Sequence, residues 1–378
     1  MTIPVNEPLL GPQEMEYVTQ CLRTGWISSA GHFLEQFEER WAAYCGRKYG
    51  IAVSNGTTAL ELAVQALDLQ PSDEVIVPTF TIISCAAAVV YGGGVPVLVD
   101  SEPRTWCMDI RQVAAKITGR TRAIMPVHIY GHPVDMDPLL ELARKHQFAI
   151  IEDAAEVHGA EYLTDRTGAK PRWQRCGSFG EFSCFSFYGN KLLTTGEGGM
   201  VLTDDAQRAE TIRSLRNLCF QPQRRFYHER LGHNFRLTNI QAALGLGQLE
   251  RMEAIVARKR WMGQEYTRRL QDIASLQLPV EESWARNVYW MYGIVLAEDT
   301  GMDATQCAQR LREFGVETRP FFLGMHEQPV FHQRGLFLQE RYPVAERLAR
   351  QGLYLPSGVA LTESQLEQVC EAVHKVVA

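Results

Sequence analysis

No apolar segment of the sequence is long enough to span a bilayer, and the N-terminus lacks a basic region followed by an apolar core. Positive charge is not in excess either, since the formal net charge is -6 at pH 7. Proteins that bind nucleic acid or a membrane surface normally carry a basic patch, so this balance argues against both classes. The sequence therefore predicts a cytoplasmic protein with no nucleic-acid partner and no membrane partner.

Paired cysteines are missing as well. The nine cysteines are an odd number and include no C-x-x-C pair, which argues against a disulfide framework and a structural zinc site. His128, His132 and His158 fall near predicted strand ends, but none has an acidic or cysteine partner at ligand spacing, so no metal site is predicted. The sequence also lacks a G-x-x-x-x-G-K-[ST] nucleotide loop, internal repeats and low-complexity tracts.

The chain has instead the length and the patterning of a two-domain α/β protein. Its 378 residues exceed what one ordinary core holds, and its hydrophobic content of 46% is that of a globular protein. Short apolar strands alternate with helical patterns, which predicts a mostly parallel central sheet covered by helices on both faces. We expect a large α/β domain over residues 1–245 and a smaller C-terminal α+β domain within residues 246–378. One long helix over residues 241–270 is predicted to link them.

Strands of the large sheet are predicted where short apolar runs lie between helical patterns. They cover residues 49–53, 74–77, 96–99, 123–127 and 148–151. Residues 161–176 have the composition of an exposed loop or hairpin. In the C-terminal part we expect strands over residues 289–296 and 316–319, and helices over residues 304–314 and 363–377.

One lysine follows a predicted buried strand within the stretch GEFSCFSFYGNKLLTTGEGGMV, residues 180–201. Lys191 comes after Ser186 and before the glycine-rich segment 196–199. Partial burial would lower the pKa of this lysine, and a neutral amine can form a Schiff base. Ser186 could hold an anion beside it. The alternative is an ordinary exposed lysine on a surface turn.

Two further positions have the chemistry of the same kind of site. Residues 54–58 (SNGTT) precede a helix whose free N–H groups suit a phosphate; the alternative is a helix cap without a ligand, and Thr58 with Glu61 fits a capping box. Asp153 follows the predicted strand 148–151, at the edge where parallel sheets bind ligands. Its carboxylate could pair with a cationic ring nitrogen or cap a helix. Together with Lys191, these groups are the ones that pyridoxal phosphate requires.

Five segments, in order along the chain, resemble the DegT/DnrJ/EryC1/StrS family of nucleotide-sugar aminotransferases. They are residues 54–60 (SNGTTAL), 152–159 (EDAAEVHG), 186–191 (SFYGNK), 196–200 (GEGGM) and 234–239 (NFRLTN). The resemblance implies a fold-type I pyridoxal phosphate enzyme that transfers an amino group from L-glutamate to a nucleotide-linked 4-keto-6-deoxy sugar. Residues 24–29, 105–109, 128–133 and 317–320 are most similar to members that use a GDP-linked sugar. A dTDP- or UDP-linked sugar, aminated at carbon 3 or 4, is the alternative.

The resemblance assigns roles to individual residues. Lys191 matches the Schiff-base lysine, which also acts as acid and base, and Asp153 matches the partner of the pyridine nitrogen. Glu156 matches the position, often glutamine in relatives, that approaches the phenolic oxygen of the cofactor. Ile82 stands where relatives usually stack an aromatic ring on the cofactor. The implied phosphate ligands are Gly56, Thr57, Thr58, Ser186 and, donated across the interface of a homodimer with shared active sites, Asn234.

Substrate-binding residues follow from the regions that line the sugar-nucleotide site in the family. These regions match the segment 26–29, the Arg- and Tyr-rich flap 221–230 and the loop 319–326. The individual residues are Trp26, Ile27, Ser28, Tyr188, Arg225, Arg319 and His326. Two other functions on the same fold are alternatives. One is sugar dehydration, which Lys191 disfavours because relatives of that kind have histidine there, and the other is a non-catalytic sensor.

Overall fold

A seven-stranded sheet forms the centre of the protein in the computed structural model, which describes residues 2–166, 168, 170–221 and 223–377. The predicted loop 161–176 and the flap 221–230 each extend partly outside these described residues. The strands are β1 (Tyr49–Val53), β2 (Glu74–Pro78), β3 (Val95–Val99), β4 (Thr121–Ile124), β5 (Ala149–Asp153), β6 (Glu161–Thr164), β7 (Arg172–Arg175), β8 (Phe182–Ser186), β9 (Gly199–Thr203), β10 (Leu276–Gln277), β11 (Ala285–Arg286), β12 (Tyr292–Leu296), β13 (Arg319–Pro320) and β14 (Gly352–Leu355).

Helices cover both faces of this sheet and pack on the C-terminal part of the chain. They are α1 (Pro12–Thr24), α2 (His32–Tyr44), α3 (Gly56–Gln65), α4 (Ser84–Tyr91), α5 (Ile110–Lys116), α6 (Met136–His146), α7 (Ala206–Arg216), α8 (Asn239–Leu249), α9 (Met252–Leu270), α10 (Ala304–Glu313), α11 (Pro329–His332), α12 (Pro343–Gln351) and α13 (Glu363–Val377). Short 3-10 helices cover Ile129–Gly131, Glu298–Thr300 and Met325–Glu327.

The strand order of the large sheet is β1-β9-β8-β5-β4-β2-β3. β9 is antiparallel to both of its neighbours, and the other adjacent pairs are parallel. β2, β5, β8 and β9 are buried along their whole length, as expected for strands covered by helices on both faces. The prediction of a mostly parallel α/β sheet is confirmed. The carboxyl ends of β1, β2, β5 and β8 therefore lie at one edge of the sheet.

The prediction of one long helix over residues 241–270 is wrong. The chain forms α8 and α9 there, with a break between them. Arg251 leaves the helical conformation with φ -116° and ψ 19°. Its guanidinium Nε donates to Glu14 Oε1 at 3.0 Å, and the same side chain donates to the carbonyl of Leu9. These bonds tie the break to the N-terminal segment. The helical spacing of apolar residues continues through the break, so the pattern alone does not show it.

Within the described part of residues 161–176, β6 and β7 pair as an antiparallel hairpin, one of the two structures predicted for this range. β11 joins this hairpin as a third strand, with Ala285 opposite Tyr162 and Arg286 opposite Glu161. Tyr162 is fully buried although its neighbours are partly exposed. The hairpin therefore holds β11 in place.

A second sheet, in the order β10-β12-β14-β13, organises the C-terminal part. A separate apolar cluster packs this sheet against α9, α10 and α13, and includes Tyr266, Leu311, Leu353 and Val373. Ile3 from the N-terminus joins the same cluster. The proposed boundary between residues 245 and 246 falls inside α8, and the two-domain division itself stays a prediction.

The nine cysteines are all free and buried, as expected for small apolar side chains. Within the part of the chain that the structure describes, no helix is both long and apolar enough to cross a membrane.

Candidate active site

Lys191 lies after β8, at the edge where the parallel strands end. Its side chain is only 9% exposed, so the alternative of a solvent-exposed lysine does not hold. The Nζ atom lies 3.8 Å from Glu156 Oε1 and 3.6 Å from the ring centroid of Trp290. Burial lowers the pKa of Lys191, while the charges of Glu156 and Asp153 oppose that shift. The site thus holds a lysine whose neutral form is easier to reach than in water.

Asp153 is the last residue of β5 and is almost completely buried. Its Oδ2 accepts a hydrogen bond from the thiol of Cys85 at 3.1 Å, and its Oδ1 accepts from the backbone N–H of Ala155 at 3.1 Å. No helix begins in the segment 154–160, so this carboxylate is not a helix cap. Burial raises the pKa of Asp153, and its hydrogen bonds and the charge of Lys191 lower it. The carboxylate is held by these two bonds, and the charge of Lys191 acts on it.

Glu156 completes the charged group around Lys191. Its Oε2 accepts from the backbone N–H of Tyr130 at 2.7 Å, and its other oxygen faces Lys191. Burial raises the pKa of Glu156 to about 7, against the opposing charge of Lys191. At neutral pH this side chain can therefore hold a proton, and a protonated carboxyl can donate a hydrogen bond as a glutamine side chain does.

The predicted phosphate segment lies beside Ser186. A Cβ atom on Gly56 would lie 2.7 Å from Ser186 Cβ, so the glycine allows the start of α3 to approach the end of β8. Asn55, not Thr58, caps this helix, because Asn55 Oδ1 accepts from Thr58 N at 2.9 Å. The predicted capping box of Thr58 with Glu61 is therefore wrong. Helix α3 begins earlier, at Gly56, so the backbone of its first turn lies next to Ser186.

The remaining predicted cofactor residues are placed as follows. Thr57 Oγ1 lies 2.7 Å from Ser84 Oγ, at the start of α4. Ile82 precedes that helix and is 43% exposed. Asn234 is exposed, and its Oδ1 accepts from Arg236 Nε at 2.9 Å. The roles of these residues stay predictions.

Most of the predicted substrate-binding residues are exposed. Those residues are Trp26, Ile27, Ser28, Tyr188, Arg225 and Arg319. His326 differs from them because it is buried, with Nδ1 2.8 Å from Thr79 Oγ1 and Nε2 3.3 Å from Glu346 Oε1. A contact between its ring and a substrate would require one of these bonds to be exchanged.

Three residues near Lys191 and Asp153 escaped the sequence analysis. Trp290 contacts Lys191 from a segment about 100 positions further along the chain, and no local pattern indicates that contact. Cys85 donates to Asp153 from α4, and Tyr130 donates its N–H to Glu156. Tyr130 lies in the 128–133 segment, whose likeness to relatives was the only signal available.

One buried cluster contains atoms of the kind that bind metals, although the sequence predicted no such site. His128, Glu152 and Cys176 place such atoms within 4.8 Å of one another. His128 Nε2 lies 2.9 Å from Glu152 Oε1, and His128 Nδ1 accepts from Val134 N at 2.8 Å. Both ring nitrogens are therefore used, and the Glu152 oxygens also accept from two backbone N–H groups and from the hydroxyl of Ser183. These bonds make the cluster a hydrogen-bonded part of the core.

A parallel-sheet edge that joins a buried lysine, a buried aspartate and a helix start is the arrangement that a fold-type I pyridoxal phosphate enzyme requires. The chain belongs to the DegT/DnrJ/EryC1/StrS aminotransferase family, whose model matches residues 8–374. The family and the enzyme class expected from the sequence are thereby confirmed.

Relatives of known name cover nearly the whole chain. The GDP-perosamine synthase of Caulobacter vibrioides is 44% identical over 376 residues, with 99% of this chain and 98% of the relative covered. The GDP-perosamine synthase of Escherichia coli O157:H7 is 38% identical, with 99% and 98% covered. The crystal structure of S. venezuelae DesV in complex with a ketimine intermediate superposes with a TM-score of 0.87 at 32% identity, covering 98% of both chains.

Proposed function

We propose that this protein transfers an amino group from L-glutamate to GDP-4-keto-6-deoxy-D-mannose, with pyridoxal phosphate as its cofactor, and so produces GDP-perosamine. The observation that carries the proposal is the buried Lys191 beside Asp153 and Glu156 at the carboxyl edge of the sheet. The choice of sugar is supported by likeness to relatives named GDP-perosamine synthase at 44% and 38% identity.

The described residues fit pyridoxal phosphate. The close approach of Gly56 to Ser186 leaves helix N–H groups and a hydroxyl around one space, as a phosphate group requires. Asp153 offers a fixed carboxylate for a protonated ring nitrogen, and Lys191 offers an amine. When bound, the cofactor would supply an aldehyde for amines and a ring that accepts electrons.

In the site, Lys191 and Glu156 can exchange protons, whereas Asp153 is held in place. Burial keeps a larger fraction of Lys191 neutral than in water, and only the neutral amine attacks a carbonyl carbon or takes the α-proton of glutamate. Asp153 stays in place through its bonds from Cys85 and Ala155. Glu156 holds a proton near neutral pH and can donate it in a hydrogen bond to an oxygen.

We also propose that the active unit is a homodimer in which each site receives Asn234 from the other subunit. Support comes from the exposure of Asn234 and from large apolar side chains that are open to solvent in the single chain. Phe226 is 82% exposed and Leu231 is 94% exposed, and both lie within eight residues of Asn234 along the chain, where the second subunit would cover them.

A mixing experiment tests the shared sites. Lys191→Ala and Asn234→Asp chains are each expected to be nearly inactive, the second because its carboxylate repels phosphate. Co-refolded hybrids collect both defects in one site and neither in the other, so part of the activity should return. A fully active monomer at assay concentration would refute the shared site.

A substrate panel tests the proposed acceptor. Glutamate is supplied with GDP-, dTDP- and UDP-linked 4-keto-6-deoxy sugars, kcat/KM is compared, and the product is identified by NMR. The GDP sugar should be preferred and should carry the new amine at carbon 4. A preference for another nucleotide, or an amine at carbon 3, would replace the proposed sugar and leave the family assignment intact.

A further inference from the structure

Trp290 forms one wall of the space around the Lys191 amine. The indole is 4% exposed, and its ring centroid lies 3.6 Å from Lys191 Nζ, within the range of a cation–π contact. The indole Nε1–H donates to the backbone carbonyl of Asn190 at 2.8 Å. Because Asn190 immediately precedes Lys191, the ring is bonded to the same short turn that carries the lysine.

Contacts on its backbone and its ring hold Trp290 in place. Its carbonyl accepts a hydrogen bond from Lys259 Nζ at 3.1 Å, and the same amine donates to the carbonyl of Ser357. A Cβ atom on Gly131 would lie 2.6 Å from Trp290 N, and the glycine has φ 105°, so only glycine allows this approach. The ring of Tyr130 also stacks on Trp290 at a centroid distance of 6.2 Å. The indole is therefore a rigid surface.

A rigid aromatic face at this distance favours the charged form of an amine over the neutral form. The titratable groups that act on Lys191 are Glu156 and Asp153, whose charges favour the ammonium ion when the two carboxyls are ionised, and His158. Burial lowers the pKa of His158 to about 3, so its ring adds no positive charge at neutral pH. Burial of Lys191 acts in the opposite direction to the indole and the two carboxylates.

We propose that Trp290 is a further active-site residue: its indole face holds the ammonium group of Lys191 whenever that amine is not bonded to cofactor or substrate. The assignment of a reaction to this lysine rests on the proposed function, whereas the contact itself does not. In the reaction, the indole would keep the freed amine next to the reacting atoms while it carries a proton.

The test uses the cofactor-free protein with lysine carrying carbon-13 at the ε position, and follows the Lys191 signal by NMR as the pH is raised. The Lys191→Met protein identifies that signal by its loss. Trp290→Leu removes the aromatic face, and Trp290→Phe keeps a face but removes the Nε1–H donor. The pKa of Lys191 should fall by about one unit in Trp290→Leu and by clearly less in Trp290→Phe.

The signal of Lys259 serves as the control for folding in each variant. An unchanged or raised pKa of Lys191 in Trp290→Leu, with a native Lys259 signal, would overturn the proposal, because burial alone would then set the state of the amine. An equal fall in both variants would also overturn it, since the hydrogen bond to Asn190 would then be the cause. All of these results are independent of whether the protein aminates a GDP sugar.

Discussion

Two regions of this molecule bury a lysine, and they hold it in different ways. Lys259 is 1% exposed and donates hydrogen bonds to the carbonyls of Trp290 and Ser357. Lys191 is held at longer range, 3.8 Å from a carboxylate oxygen and 3.6 Å from a ring centroid. A distance of 3.8 Å is beyond a hydrogen bond. The amine of Lys259 is fixed by short directional bonds, whereas the amine of Lys191 is attracted without being tied.

The difference matches what each amine has to do. A nucleophile must leave its resting position and form a new bond, so strong hydrogen bonds to it would raise the barrier. A structural amine only has to satisfy buried carbonyls, and a neutral amine still has two N–H groups, enough for both acceptors of Lys259. Burial lowers the pKa of both lysines, to about 7 for Lys259. A lowered pKa alone therefore does not identify a reactive lysine.

The largest expected effect comes from removing Lys191. Lys191→Ala should lower the rate of 2-oxoglutarate formation from glutamate on the order of 10⁴-fold or more, because one side chain acts as nucleophile, acid and base. Lys145 is exposed on α6, and Lys145→Ala is the control that should keep the full rate. Near-normal turnover of the Lys191→Ala protein would remove the contrast between the two lysines.

The next largest effect is the contribution of Lys259 to the pH dependence of the free energy of unfolding. Its pKa in the folded protein is about 7, below the ordinary value of 10.5, so unfolding takes up a proton between these values. The free energy of unfolding should therefore rise by about 1.4 kcal/mol per pH unit from about pH 7 to about pH 10. Below about pH 7 the full penalty of the charged, buried amine applies.

Lys259→Met should lower this slope by the contribution of Lys259, about 1.4 kcal/mol per pH unit, and leave the contribution of Lys191. The measurement is the thermal midpoint of the cofactor-free protein at a series of pH values, compared between the two proteins. An equal slope in the Lys259→Met protein would assign the pH dependence to other groups.

A smaller effect is the difference in stability between variants of the two lysines, measured at one pH near 8. Lys259→Met leaves two buried carbonyls without donors, which should destabilise the protein by about 1–3 kcal/mol. Lys191→Met removes a buried amine that is held without a short hydrogen bond, and Glu156 can take up a proton once its partner is gone, so stability should change by less than about 1 kcal/mol. Calorimetry of both cofactor-free variants gives the comparison. A loss of stability in Lys191→Met as large as in Lys259→Met would show that both amines are structural.

The smallest predicted effect concerns the fixed group opposite Lys191. Cys85→Ala removes the thiol that donates to Asp153 and should weaken pyridoxal phosphate binding by about fivefold, since one buried hydrogen bond contributes about 1 kcal/mol. Cys85→Ser restores a donor and should bind nearly as the original protein does. Equilibrium binding followed by absorbance measures both. Equal weakening in the two variants would mean that packing at Cys85 matters and the hydrogen bond does not.

Most of the large sheet follows from local patterns in the sequence. Strand β1 and helix α13 have the bounds predicted for them, because each is a clear apolar pattern between turn residues. The cap at Asn55 and the break at Arg251 were missed, since both depend on side-chain bonds that a pattern does not show. Strand β14 and helix α12 were also missed, because β14 is short and only its pairing with β12 and β13 identifies it as a strand.

The candidate site divides in the same way. Lys191, Asp153 and Ser186 lie at strand ends, where the geometry of a parallel sheet predicts ligand-binding residues. Trp290 reaches the site only through tertiary packing. Lys259, which bonds to the Trp290 carbonyl, lies in the interior of a helix, where it resembles any solvated lysine of the sequence. Local chemistry therefore indicated the reactive groups, and the residues that hold them in place required the structure.

The most direct test of the assignment of Lys191 is to find which lysine bonds to pyridoxal phosphate. The protein is loaded with pyridoxal phosphate, reduced with borohydride and digested, and the modified peptide is identified by mass spectrometry. We predict a single stable adduct on Lys191, with Lys259 unmodified, because the Lys191 amine lies at the carboxyl edge of the sheet without a short hydrogen bond, whereas Lys259 is bonded to two carbonyls. An adduct on Lys259 or on another lysine, with Lys191 unmodified, would contradict the assignment of the active site.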